Sequence, residues 1–515
     1  MKKILASITA MIIVVSLAPT SVFGFQSSAG ARQESAADDE APAAEAAKPT
    51  DNTVTTKHTA TIKGKKIAYT AETGTMVLES CGEQCEIFYT AYTKDGVKDK
   101  STRPITFAYN GGPGAASSYI HFGCLGPRRV ELDEKGVPIT LPAKVVDNQN
   151  SILDITDLVF IDPVGTGYSR AVDESKADVY YNYDSDNECV GDFIRQYVNR
   201  NNRWGSPKYL AGESYGTTRS VGVCNYLANN CSMNVNGLML ISCVNDFSAI
   251  AFGSSNELPY ASFIPTYAAA AWYHGVLSKK YQDMKLEDYM DEVCSFVEKE
   301  YVPALFMGTK LSKSEMESTA EKLADYIGVS KEFVIENNLR FDLEPFSKEI
   351  LKDKKLMIGR YDERLTGPST TGSIYDGTSD PSGSTVDTAF GDAFRKYITE
   401  ELGYQTDRNY ITLSLDINNA WSFPINNYGG YLAQEDTIRD ILSKNKFLKI
   451  WVLSGYYDAA TPFYGTQWQY NHVFANDDVK ERITFTHYAS GHMLYIDSNS
   501  FDQFREDAEK WYSAK

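Results

Sequence analysis

The chain has no excess of positive charge and, beyond its first residues, no long apolar run. Its 515 residues carry 50 Lys and Arg against 68 Asp and Glu, which gives a formal net charge of −18. This charge argues against nucleic acid or an anionic membrane as a partner, since either would repel the protein. No later apolar run approaches the ~18–20 residues that a membrane helix needs, so no stable membrane insertion is predicted.

Metal-binding patterns are also lacking. The eight cysteines form no paired Cys-x-x-Cys set and no histidine cluster accompanies them, so neither a metal nor another cofactor is predicted. Their even number suits an oxidising compartment and permits disulfides. Spacing alone leaves the pairing open, but the close pairs Cys81/Cys85 and Cys224/Cys231 are the expected bridges.

Apolar residues are scarce between residues 25 and 57. Before this segment, Lys2 and Lys3 precede the apolar run Met11–Val15, and small residues follow near Gly24. This order is typical of a secretory signal peptide, which we predict over residues 1–24. Residues 25–57 are rich in Ala, Glu, Asp, Ser, Pro and Thr, which predicts a disordered acidic linker. The mature protein is therefore expected to be exported, secreted or extracytoplasmic.

The most informative pattern is Gly-x-Ser-x-Gly at residues 212–216. It directly follows the apolar run that starts at Lys208, and a helix-compatible stretch comes after it. Small residues let a strand turn tightly into a helix and expose the serine above a sheet. The pattern also marks ordinary turns, but its flanks favour the nucleophile elbow of an α/β-hydrolase. We predict this fold, with a central mixed, mostly parallel sheet, and Ser214 as the nucleophile.

Few histidines are available as the base. In this fold the acid and then the histidine follow the serine, on loops after later strands. His492 follows the strand-like run Ile483–Tyr488 in a loop of small residues, and Asp458 is the only carboxylate in the loop after the strand Lys449–Ser454. We predict them as base and acid. A loop histidine and a turn or capping aspartate are the alternatives. The other downstream histidines fall within helix- or strand-like runs: His274, His472 and His487.

An oxyanion hole needs backbone N–H groups from two loops. Tyr215, after the nucleophile, supplies one. The strand Ile105–Tyr109 runs into the glycine-rich stretch Asn110–Ser118, where Gly112 is the expected second donor. Such a loop could instead cradle a phosphate, but no Lys-Ser/Thr pair follows it.

Together these residues resemble the serine carboxypeptidases, peptidase family S10. The resemblance covers about residues 100–495 in the family's order, while the N-terminal strands and the central insertion do not visibly match. Four blocks carry it: Asn110–Gly114 with Gly126-Pro127, Phe160–Ser169, Gly212–Gly216 and Gly491–Met493.

The resemblance implies that Asn110 and Glu213 bind the C-terminal carboxylate of a peptide. Two adjacent carboxylates repel each other unless one is protonated, so this arrangement favours acidic pH. The chain departs from the family pattern at Ala108, where Trp is usual, at Ala115, where Cys is usual, and at Asp162-Pro163, where a glutamine commonly intervenes. These changes alter the wall beside the carboxylate pocket and remove one possible disulfide.

The chain is too long for one core, since single cores rarely exceed ~250–300 residues. We predict a hydrolase core over residues 58–250 and 410–515, the second part opening with the strand-like run Tyr410–Leu415. Residues 251–409 are predicted to form a largely helical lid that shapes the acyl-side pocket.

The expected function is that of a secreted serine-type carboxypeptidase acting on the C-termini of peptides or proteins through an acyl-enzyme. An esterase or acyltransferase on the same scaffold is the alternative, and a catalytically silent binding protein is a third possibility.

Overall fold

The structure is a computed structural model that describes residues 49–133, 136–370, 372–375, 379–424, 430–474 and 476–514. The predicted signal peptide and most of the predicted linker lie outside the described residues. The end of that linker differs from the prediction, because the first strand already begins at Asn52. Its many β-branched threonines favour an extended chain, and this strand pairs antiparallel with the next one from Asn52 to Ile62.

The described chain begins with a run of strands, and strands and helices alternate only around the parallel part of the sheet. The strands are β1 Asn52–Ile62, β2 Lys65–Ser80, β3 Glu83–Lys94, β4 Ile105–Tyr109, β5 Arg128–Val130, β6 Val145–Asp147, β7 Asp157–Ile161, β8 Arg170–Ala171, β9 Lys208–Glu213, β10 Gly237–Ile241, β11 Leu356–Ile358, β12 Thr366–Pro368, β13 Lys449–Gly455 and β14 Ile483–Tyr488. The helices are α1 Tyr183–Arg200, α2 Tyr215–Asn230, α3 Leu258–Tyr273, α4 Lys279–Gln282, α5 Leu286–Phe296, α6 Val302–Met307, α7 Lys313–Ile327, α8 Lys331–Glu336, α9 Leu343–Glu349, α10 Gly383–Lys396, α11 Leu415–Ala420, α12 Glu435–Lys444, α13 Phe463–Asn471, α14 Asp477–Lys480 and α15 Ser498–Ser513.

One large sheet organises the main core. Its strand order is β1-β2-β3-β7-β4-β9-β10-β13-β14, with β8 paired to β3. Strands β1 to β3 pair antiparallel, and the strands from β7 to β14 pair parallel. Every residue of β4, β7 and β10 is buried, as expected for parallel strands covered on both faces. The predicted α/β class with a mixed, mostly parallel sheet is confirmed.

Alternate residues of these strands enter two separate apolar clusters. One cluster joins Leu210 and Leu240 to residues of α1, α2 and α12. The other joins Ala211 and Met239 to Trp451, α10 and α15. The two-residue period of a strand explains this division, because successive side chains point to opposite faces. Because these strands pair parallel, the loops after them lie along one edge of the sheet, where they can meet.

A largely helical segment lies between β10 and β13. Its helices α3, α5, α7, α8 and α9 share an apolar cluster of their own with the short strand β11. The end of the predicted lid behaves differently, because Phe390 and Phe394 of α10 pack in the cluster of the main core. Among the residues that the structure describes, no helix has both the length and the apolar character needed to cross a bilayer.

The strand-like run Tyr410–Leu415 does not join the sheet in the described structure. Ile411 and Leu413 instead make isolated bridges with Gly167 and Ala115, which lie in loops after β7 and β4. This run is therefore a segment that contacts the loops after two strands and is not itself a strand of the sheet.

The two expected disulfides are absent: all eight cysteines are described residues and all are free. Cys81 lies in the turn after β2, while the hairpin register pairs Cys85 with Leu78. Cys85 Sγ instead lies 3.7 Å from Cys189 Sγ. Cys224 and Cys231 are seven residues apart along α2, about 10 Å at the helical rise, whereas a bridge needs a Cα separation of about 4.4–6.8 Å.

Candidate active site

Ser214 stands at the sharp turn between β9 and α2. Its φ of +61° lies in the left-handed region, which a serine rarely adopts. The turn is tight because Gly212 and Gly216 approach each other: a Cβ on Gly212 would lie 2.0 Å from the Gly216 carbonyl oxygen. Thr217 N–H donates to the Ser214 carbonyl at 2.8 Å and starts the helix. This local structure leaves the serine half-buried at the edge where the parallel strands end.

Asp458 and His492 follow β13 and β14 and lie in direct contact. His492 Nδ1 is 2.8 Å from Asp458 Oδ2, and both side chains are buried. The N–H groups of Ala460 and Thr461 donate to Asp458 Oδ1 at 2.8 and 3.0 Å. These bonds fix the carboxylate so that it orients the imidazole. Burial alone would lower the pKa of His492, but the charge of Asp458 and the hydrogen bond to it raise that pKa above its ordinary value.

The end of β10 ties the serine turn to the histidine loop. Ser214 N–H donates to the Ile241 carbonyl at 3.0 Å. The next residue, Ser242, donates through its hydroxyl to the His492 carbonyl at 2.6 Å. Two consecutive residues therefore hold both loops at the same place above the sheet.

The glycine-rich loop after β4 packs directly on the serine turn. A Cβ on Gly111 would lie 2.4 Å from the Tyr215 backbone nitrogen, so only glycine allows this approach. The next residue, Gly112, has φ +95°. The predicted donors, the N–H groups of Gly112 and Tyr215, thus belong to two backbones in contact.

A buried ion pair contacts the first residue of this glycine-rich loop. Arg219 Nε donates to Asp186 Oδ2 at 2.8 Å, and both side chains are almost fully buried. Arg219 Nη1 donates to the Asn110 carbonyl at 2.5 Å. The pair thus links α1 and α2 to the first residue of the glycine-rich loop.

Glu213 and Asn110 lie together beside His492. Burial raises the pKa of Glu213 to about 7, against the opposing effects of the His492 charge, of a hydrogen bond from Tyr495 and of Asn110. Asn110 Oδ1 accepts from Ile120 N–H at 2.9 Å, which orients its amide group. Glu213 Oε2 has no hydrogen-bond partner among the described residues. A buried carboxyl oxygen without a partner favours an additional hydrogen bond from a polar group.

A short segment of the predicted lid runs between the loops that carry Asp458 and His492. We call residues 360–364 the lid strap. The Arg360 carbonyl accepts from Ala459 N–H at 3.1 Å, and the Tyr361 carbonyl accepts from His492 N–H at 2.6 Å. Glu363 N–H donates to the Tyr457 carbonyl at 3.0 Å. The strap therefore bonds to both loops through its backbone.

No motif in the sequence predicts several of these contacts. Tyr495, Arg219 and Asp186 belong to no motif identified in the sequence, and the strap was assigned only to the lid. Tyr495 lies three residues after His492, and this proximity is the only feature of the sequence that places it near the predicted site. In the described part of the chain, no group of three or more His, Cys, Asp or Glu side chains is arranged to hold a metal ion.

Comparison with known proteins identifies the family and the fold of the chain. The model of the Peptidase_S10 family, described as serine carboxypeptidase, matches residues 66–494. Among solved structures, the chain is similar to Kex1(delta)p, a prohormone-processing carboxypeptidase from Saccharomyces cerevisiae, with 16% identity over 85% of this chain and 91% of that one and a TM-score of 0.51. A proline iminopeptidase from Mycobacterium smegmatis matches with 11% identity over 83% and 94% of the two chains and a TM-score of 0.33. The likeness to the yeast structure shows the α/β-hydrolase fold.

Proposed function

The chain belongs to the serine carboxypeptidase family and is a serine carboxypeptidase, and we propose that it releases the C-terminal residues of peptides and proteins through an acyl-enzyme. The family match covers the predicted catalytic residues together with Asn110 and Glu213, and it ends one residue before Tyr495. One observation carries the exopeptidase assignment. The Glu213 carboxyl is buried beside His492, and its Oε2 has no hydrogen-bond partner among the described residues.

In the proposed reaction the Ser214 hydroxyl attacks the carbonyl carbon of the last peptide bond. His492 takes the hydroxyl proton, and Asp458, 2.8 Å from the other ring nitrogen, stabilises the imidazolium. The N–H groups of Gly112 and Tyr215 bind the oxyanion. His492 then protonates the leaving amine, the C–N bond breaks, and water hydrolyses the acyl-serine by the same steps.

Glu213 and Asn110 give this reaction its preference for a chain end. A protonated Glu213 donates a hydrogen bond to the terminal carboxylate of the substrate, and the Asn110 amide lies next to it. The two carboxyl groups then share one proton, so the pocket favours a pH below about 7, the pKa of Glu213. A peptide amide cannot form this pair.

We also propose that the enzyme acts outside the cytoplasm, because Lys2, Lys3 and the apolar run Met11–Val15 have the order of a secretory signal. Its substrates there would be peptide or protein C-termini.

The test compares peptides of one sequence that end in a free acid or in an amide, assayed below pH 7. We expect the free acid to be cut at least about tenfold more efficiently and Ser214→Ala to lose turnover by at least about 10³-fold. Ser314→Ala, an exposed serine of α7, is the matched control and should keep wild-type rates. Equal hydrolysis of the amide or of a simple ester would instead indicate an esterase or acyltransferase. No labelling of the protein by a fluorophosphonate would indicate a silent binding protein.

A further inference from the structure

A cavity of about 280 Å³ lies beside the loop that carries Asp458. Ala459 and Ala460, the two residues after Asp458, form one wall. Ile250 and residues of the predicted lid form the others, which are apolar at Phe252 and Phe263 and polar at Asp342, Arg360 and Tyr375. A volume of this size is enough for one amino-acid side chain, and no part of the proposed mechanism occupies it.

Arg360 enters this cavity without a carboxylate partner in the described part of the chain. Its Cζ lies 5.4 Å from the ring centroid of Tyr361 and 5.5 Å from that of Tyr375. Rings bind the flat face of a guanidinium, which leaves the N–H groups at its edge available. A carboxylate is the group that this edge binds best, through two parallel hydrogen bonds.

The carboxyl group of Asp342, which also lines the cavity, does not remove the preference of Arg360 for a carboxylate ligand. Its Oδ1 accepts from Glu344 N–H at 3.1 Å at the start of α9. Burial also raises the pKa of Asp342. One oxygen of its carboxylate is thus engaged with the backbone, whereas Arg360 has no ion pair with a carboxylate among the described residues.

The strand order places the cavity on the acyl side of the nucleophile. Ser214 follows β9, the Asn110 loop follows β4 on one side of it, and the Asp458 loop follows β13 on the other side. A substrate whose terminal carboxylate lies at Asn110 and Glu213 therefore extends its preceding residue toward the cavity. Arg360 is also close enough to His492 to lower its pKa.

We propose that this cavity binds the side chain of the penultimate substrate residue and that Arg360 selects an acidic side chain there. The inference rests on the proposed carboxypeptidase function and specifies its substrate class. A penultimate Glu or Asp would pair with the guanidinium, while its methylene groups contact Phe252 and Phe263.

The experiment uses the full-length enzyme and three N-blocked peptides with a free C-terminus that differ only at the penultimate residue, Glu, Gln or Lys. We expect wild-type kcat/KM to be about tenfold higher for Glu than for Gln, and lower again for Lys. Arg360→Gln should reduce the Glu/Gln ratio to about one, and Arg360→Lys should restore part of it. Arg195→Gln, a half-exposed arginine of α1 paired with Asp192, is the matched control and should leave the ratio at the wild-type value.

The outcomes separate the two proposals. A wild-type Glu/Gln ratio near one, or an Arg360→Gln variant that keeps the wild-type ratio, would overturn the role of Arg360 while carboxypeptidase activity stands. Absence of hydrolysis of all three peptides would contradict the proposed function itself.

Discussion

The Tyr495 hydroxyl donates a hydrogen bond to Glu213 Oε1 at a distance of 3.1 Å. Both residues are buried, one directly before Ser214 and the other three residues after His492. The loops of the proposed nucleophile and base are therefore also connected through the proposed carboxylate pocket. Two pH predictions depend on this contact.

Replacing Glu213 by Gln should abolish the alkaline decline in activity on free-acid peptides. The pKa of Glu213 is raised to about 7 by burial, so its proton is present below that pH and is lost above it. In the wild type, kcat/KM should fall about tenfold per pH unit above pH 7, because an ionised Glu213 repels the substrate carboxylate. The amidated peptide is the control and should show no such decline. If the decline persists in Glu213→Gln, a group other than Glu213 causes it.

Replacing Tyr495 by Phe should shift the same decline to higher pH. The hydroxyl of Tyr495 stabilises the ionised form of Glu213, so its loss raises the pKa of Glu213 further. A hydrogen bond to a charged group is worth about 1.5–3 kcal/mol, which corresponds to a shift of about one pH unit or more. The pH profile of kcat/KM measures it. Tyr180→Phe is the control, because it removes a buried hydroxyl that contacts the Ser80 carbonyl and not Glu213, and it should leave the pH profile unchanged.

Replacing Asp458 by Asn should lower kcat by about 10³–10⁴-fold with little change in fold. The amide can occupy the same space between Ala460 N–H and His492, but it cannot stabilise the imidazolium. Steady-state kinetics with circular dichroism on the same sample measure both quantities. Asp173→Asn, an exposed aspartate that also accepts a backbone N–H, should behave as wild type. Activity within tenfold of wild type for Asp458→Asn would exclude it as the acid.

Replacing Asp186 by Ala should destabilise the protein by about 3–5 kcal/mol, because it leaves the buried Arg219 charge unpaired. Urea unfolding measures this free energy. The double variant Asp186→Leu/Arg219→Met removes both charges and should lose less stability than the single one. An equal or larger loss would show that packing rather than charge dominates at this site.

The sequence was enough to predict a mixed, mostly parallel sheet and the loops after several of its strands, although the predicted strand-like run Tyr410–Leu415 does not join that sheet. Ser214, Asp458 and His492 each follow a run of apolar residues, and the structure places them after β9, β13 and β14. Such signals are local, since a strand and the loop after it are read within about ten residues.

Contacts between distant segments were not predictable in this way. Tyr495 and Glu213 are 282 residues apart, and Arg219 reaches the Asn110 carbonyl over 109 residues. The expected bridge between Cys81 and Cys85 was wrong because proximity in sequence does not determine the direction of side chains in a hairpin. The pairing of Cys85 with Leu78 depends on the register of β2 and β3, and no composition rule gives that register.

The lid strap limits which parts of the chain can change without altering the predicted active site. Tyr361 bonds through its backbone to His492, while its neighbour Arg360 enters the side-chain cavity. Exposed positions on the helices of the predicted lid, such as Ser314 of α7, can vary without changing this backbone path. The strap itself cannot be exchanged with the rest of the lid as an independent module. A chimera with a foreign lid must keep the backbone path of residues 360–364, and new specificity must come from side chains placed on that fixed path.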